Sequence, residues 1–184
     1  MPSVNFKIIR NISFIGSSFV FLSVLYLACK FDISNPMLQW SFHNSWSGFL
    51  NIYYSGGVDG VSLLFILLTS FLIPLCVLYS WNQFIYFFKE LMLLLFAIEF
   101  LLFNFFFVSD LFFFFIFFES ILFPMFILIG NFCSRQRKIH ASFQFFLFTT
   151  IGSFLMMIAI FLVFLFDGST DFYVLYFGSF SYEL

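Results

Sequence analysis

Five stretches of this 184-residue chain, about residues 11 to 29, 60 to 81, 91 to 108, 111 to 130 and 141 to 166, are apolar over lengths near 20 residues. An α-helix rises about 1.5 Å per residue, so a run of about 20 crosses the roughly 30 Å hydrocarbon layer of a bilayer. In that layer no water meets the backbone N–H and C=O groups, and a helix satisfies them internally. The composition agrees: 63% of residues are hydrophobic and 9% charged, against about a quarter charged in soluble domains. The expected fold class is therefore an all-α membrane protein with about five transmembrane helices in a single unit, residues 1–184.

The charges give the orientation. An odd number of spans puts the termini on opposite sides. One side, made of the N-terminus and the 82–90 and 131–140 connections, then holds Lys7, Arg10, Lys89, Arg135, Arg137 and Lys138, six of the seven basic residues. The other keeps Lys30 with Asp32, Asp59, Asp110, Asp167, Asp171 and Glu183. Basic residues stay on the side of synthesis, so the N-terminus is expected in the cytoplasm or mitochondrial matrix. The connection 30–58 carries Trp40, Trp46, Tyr53 and Tyr54, rings suited to the headgroup level, and is expected to be an interfacial loop.

Other features point to packing. The 38 phenylalanines follow no stripe; Phe partitions into lipid about as well as Leu or Ile, so compositional drift accounts for them. Cys29, Cys76 and Cys133 are widely separated and share no ligand spacing, so no metal site and no bound cofactor are expected on this chain. Pro74 and Pro124 each remove a backbone donor in the second and fourth spans and can free a carbonyl toward polar neighbours; Pro74 is read as a packing kink, whereas Pro124, just over one turn from Glu119, is read with that acid. Thr149, Gly152, Ser153 and Met156 form a small and polar stripe, read as close helix packing.

The chemistry lies in the acids. Glu119 has eight span residues before it and eleven after, near the bilayer midplane, where a charge costs about 2.5–3.5 kcal/mol on insertion scales. Burial favours the neutral acid and a nearby cation the ionised one, so such a group can take up and release protons. A neutral acid making one interhelical hydrogen bond is the plainer reading. Glu99 is similarly central and is a candidate relay or a helix-bonding group. Asp59 and Asp110 fall at span ends on the acidic side, where water reaches and helix capping is expected. The cluster Arg135, Arg137, Lys138 and His140 is an orientation anchor or a proton entry. No phosphate loop, nucleophile elbow or metal cluster accompanies them, which leaves a polytopic protein with midplane acids.

Four ordered motifs carry a family resemblance: Gly57-Val-Asp-Gly-Val-Ser-Leu-Leu-Phe with Leu72-Ile-Pro-Leu-Cys; Phe117-Phe-Glu-Ser-Ile-Leu-Phe-Pro-Met-Phe; Ser134-Arg-Gln-Arg-Lys-Ile; and Gln144-Phe-Phe-Leu-Phe-Thr, with Gly152-Ser153 and Gly168-Ser-Thr-Asp continuing the match. Over residues 57 to 171, and loosely over 7 to 42, the chain resembles the N-terminal half of the chain 4 family of respiratory complex I, the antiporter-like subunits of NADH:ubiquinone oxidoreductase. The resemblance implies a membrane-arm subunit, or fragment of one, taking part in proton translocation coupled to electron transfer from NADH to ubiquinone. FMN, iron-sulfur clusters, NADH and ubiquinone would then lie on other subunits. It also implies that Glu119 is the family's buried glutamate, coupled there to a lysine on a later broken helix.

Two departures qualify this expectation. The family's first helix has no counterpart before Lys7, and the sequence ends before the broken helices and their lysines. Either a companion chain carries those helices and docks here, or this is a segment of a longer polypeptide. The alternative functions are a component of a multi-subunit cation/proton antiporter and a structural membrane-arm subunit that no longer pumps. The expected location is the mitochondrial inner membrane, with the N-terminus toward the matrix and the C-terminus toward the intermembrane space, a bacterial membrane being the other option.

Overall fold

The structure is a computed structural model that describes residues 3–35, 37–47, 52–81, 87–132 and 137–179. Cys133, Arg135 and Glu183 lie outside them. The order is α1 (Ser3–Lys30), β1 (Gln39–Ser47), β2 (Ile52–Val58), α2 (Gly60–Tyr79), α3 (Phe88–Phe107), α4 (Leu111–Phe132), α5 (Lys138–Asp167) and α6 (Phe172–Ser179). Among the described residues, α1 to α5 contain five segments long and apolar enough to cross a membrane.

The five long helices pack in sequence, α1 on α2, α2 on α3, α3 on α4 and α4 on α5, with α1 also touching α3. Toward the basic end, Ile73 and Val77 of α2 meet Phe88, Leu91, Met92 and Leu95 of α3, and Ile9, Phe14, Leu128 and Phe132 close around them. Outward faces stay apolar: Phe19, Phe100, Phe148 and Phe166 are exposed, as suits side chains that lipid covers. Cys29 and Cys76 are free and exposed among them.

Local rules set the helix ends. Asp59 caps α2, its Oδ1 accepting the Gly60 N–H at 2.7 Å, and Gly168 ends α5 in the left-handed region at φ 71°. Lys138 donates from Nζ to the Asn131 carbonyl at 2.8 Å, tying the start of α5 to the end of α4. Helices α2 and α4 continue through Pro74 and Pro124, and Pro124 is buried. On the basic side the Arg10 guanidinium lies 4.1 Å from the centroid of the Trp81 ring.

The 30–58 connection departs from the expected loop. It contains an antiparallel hairpin, with His43 opposite Ser55 and Asn44 opposite Tyr54. The hairpin lies over the α3–α4 junction: Ser109 N–H donates to the Ser55 carbonyl at 3.0 Å, Tyr54 OH to Asn104 Oδ1 at 3.2 Å, and Phe42 stacks on Phe107 at 5.3 Å. The strands mix residues that favour extended structure (Trp40, Phe42, Tyr53, Tyr54 and Val58) with Ser, Asn and Gly that do not, so local preference alone is weak. These contacts with a distant helix junction, rather than local preference, hold them.

Candidate functional site

Aromatic contacts fix which seam each mid-span acid faces. On α4, Phe126 meets Phe143 at 5.7 Å and Phe146 at 5.5 Å on α5, and a Cβ on Gly130 would lie 3.4 Å from Ser142 Oγ. Residues seven apart share a helix face, two turns along. Two turns back from Phe126 is Glu119, and two turns on from Phe143 and Phe146 are Thr150 and Ser153. Because α4 and α5 run antiparallel, these residues come level in the same seam, midway along both helices.

The hydrogen bonds at this level are uneven. Thr149 Oγ1 donates to the Phe145 and Phe146 carbonyls at 2.7 and 3.0 Å, and Ser153 Oγ to the Thr150 carbonyl at 3.0 Å. Thr150 Oγ1 and Glu119 Oε2 are both buried without a hydrogen-bond partner. The stripe read from the sequence is altered accordingly: Ser153 is buried in the seam, whereas Gly152 is exposed with open space where a Cβ would go, so it makes no close helix contact among the described residues.

Glu99 occupies a different seam. Phe105 faces α4, 4.5 Å from Phe114, while Phe106 stacks on Phe65 of α2 at 5.0 Å. Glu99 lies two turns before Phe106 and so faces α2; Ile98, two turns before Phe105, faces α4. Glu99 is 4% exposed and its Oε1 has no partner. The two glutamates are therefore not brought into one site. Beyond Glu119 toward the acidic side, the α4/α5 seam opens into a cavity of about 380 Å³ lined by Phe112, Phe115, Met157, Ile160 and Phe161 among others, without polar surface.

At the acidic side Asp110 and Asp171 form an isolated antiparallel bridge. Asp110 Oδ1 accepts the N–H groups of Phe112 and Phe113 at 2.8 and 3.3 Å, capping α4, and its Oδ2 accepts from Thr170 Oγ1 at 2.7 Å. Capping was expected here, but water contact was not borne out, since Asp110 is 1% exposed. Burial pushes its carboxyl above the usual range; hydrogen bonds from Thr170, Phe113 and Phe112 oppose the shift, and the Asp171 charge adds to it. Asp171 accepts from Ser55 Oγ at 2.9 Å and from Tyr173 N–H at 2.9 Å, with exposed His43 Nδ1 3.8 Å away. On the basic side His140 is exposed and Arg137 precedes α5 at its N-cap.

A family model described as NADH:quinone oxidoreductase/Mrp antiporter, TM, matches residues 108–180, the segment holding Asp110, Glu119, Thr150 and Asp171. NADH-ubiquinone oxidoreductase chain 4 of Chondrus crispus is 42% identical over 181 residues, 98% of this chain and 37% of that one. Over nearly its whole length the chain is similar to NADH-ubiquinone oxidoreductase chain 4. The chain 4 of Acanthamoeba castellanii is 44% identical over 96% of this chain and 36% of its own length. Among solved structures, a chain of respiratory complex I from Thermus thermophilus with bound NADH superposes with a TM-score of 0.73 at 27% identity, covering 89% of this chain and 33% of that one. The chain thus spans just over a third of the length of the chain 4 relatives it matches.

Proposed function

We propose that this chain is part of an antiporter-like membrane-arm subunit of complex I, with Glu119 as the group that takes up and releases protons. The observation that carries this reading is a carboxyl oxygen buried midway along a membrane-spanning helix without a partner. An unpaired acid there is costly, and a functional load accounts for its presence. Glu99, the other mid-span acid, is the candidate relay on the α2/α3 seam. The lysine partner of Glu119 comes from the companion segment that completes the subunit, since the described helices carry basic residues toward their ends. The assembly sits in the mitochondrial inner membrane, with the basic side toward the matrix.

The matching family model also describes Mrp antiporters, so a cation/proton antiporter without redox coupling is the second reading. Affinity purification of the native assembly through this chain separates the two. Co-elution of NADH oxidation, flavin and iron-sulfur clusters is the expected result; an antiporter complex free of all three would overturn it.

A further inference from the structure

Hydroxyl side chains inside helices ordinarily donate to a carbonyl three or four residues back. Thr69, Ser70, Ser120, Thr149 and Ser153 all do so here. Thr150 does not, although its Oγ1 is buried. A buried hydroxyl left unmade costs about 1–3 kcal/mol, and its own helix supplies the usual remedy to its neighbour Thr149. The exception coincides with the level at which Glu119 Oε2, also buried and unpartnered, enters the same seam.

We propose that Thr150 is the positioning residue for Glu119, its free hydroxyl reaching the carboxyl group across the α4/α5 seam through one water or after a side-chain rotation, the two atoms not being hydrogen-bonded to each other in the structure. This rests on the reading of Glu119 as the proton-handling group, and gives it a partner on this chain in addition to the lysine expected from the companion segment. A hydroxyl suits both protonation states: it donates to a carboxylate and accepts from a carboxylic acid O–H, keeping its own proton throughout. Ser153, with its hydrogen already given to the Thr150 carbonyl, keeps lone pairs facing the same interface and can accept from a bridging water. On the acidic side of this level the seam is apolar, which leaves the carboxyl few other places to point.

Infrared difference spectroscopy of the intact assembly tests this, with the Glu119 carboxyl band assigned by its loss in Glu119→Gln. Thr150→Val, close in shape but without a hydroxyl, is expected to move that band to higher wavenumber, and Thr150→Ser to return it to the native position. Proton pumping should fall roughly tenfold in Thr150→Val, as losing one hydrogen bond to a charged group implies, and recover in Thr150→Ser. A Glu119 band unmoved in Thr150→Val, with the assembly intact, would overturn the inference while leaving the role of Glu119 standing. A band that moves as expected in a protein whose Glu119→Gln variant still pumps fully would support the contact and refute the proton-carrying role.

Discussion

Asp110 and Asp171, 61 positions apart in the chain, sit side by side as buried carboxylates, one capping α4 and the other holding the hairpin through Ser55. Each is surrounded by donors: Thr170 and two backbone N–H groups for Asp110, Ser55 and Tyr173 N–H for Asp171. The pair joins three remote segments at the acidic end of the bundle.

Removing the Asp110 carboxyl should therefore weaken both a helix cap and a tertiary tie. Asp110→Ala is expected to cost about 1–3 kcal/mol, combining a lost cap with an orphaned Thr170 hydroxyl. Asp110→Asn, whose amide oxygen can still cap, should cost less. Thermal unfolding of the detergent-purified assembly checks the order of the two variants.

The same carboxyl gives a pH dependence. Its pKa is raised above 3.8 on folding, chiefly by burial, so the folded chain holds this proton more tightly than the unfolded chain. Its stabilising contribution is complete below the unfolded value and is lost as pH rises through the folded value. As pH rises from about 4 the wild type should lose more stability than Asp110→Asn, in which the ionisation is absent. Parallel curves for the two proteins would contradict the shift.

The hairpin contact admits a steric test. A Cβ on Gly56 would lie 2.8 Å from both the Phe107 carbonyl oxygen and Phe42 Cε1. Gly56→Ala should cost about 1–3 kcal/mol and loosen the hairpin, seen as faster hydrogen exchange at the Ser109 amide that bonds to Ser55.

How much of this was legible in the sequence depends on the range of the forces involved. The spans and the central place of Glu119 follow from helix rise and bilayer thickness, both local. Which seam Glu119 enters does not, because that rests on Phe126 meeting Phe143 and Phe146. The hairpin within the interfacial connection is not legible in the sequence, because its order comes from Asn104, Phe107, Ser109 and Asp171, more than 45 residues from their partners in the strands. The stripe has the right period and Ser153 is buried in the seam, but Gly152 is exposed, and Thr150, one residue after Thr149, is the hydroxyl left uncommitted.

The two-seam arrangement lets the two glutamates be tested apart. Glu99→Gln, whose amide can neither take up nor release a proton, should lower the protons moved per NADH if Glu99 is a relay, and by less than Glu119→Gln if that relay serves only its own seam. Pumping lost as fully as in Glu119→Gln would place both acids on one obligatory route.

The central claim is tested most directly by proton uptake in sealed membrane vesicles containing the intact assembly with Glu119→Gln, driven by NADH oxidation. The account predicts a normally assembled complex whose protons moved per NADH oxidised fall clearly below wild type. An unchanged ratio in the variant would contradict it.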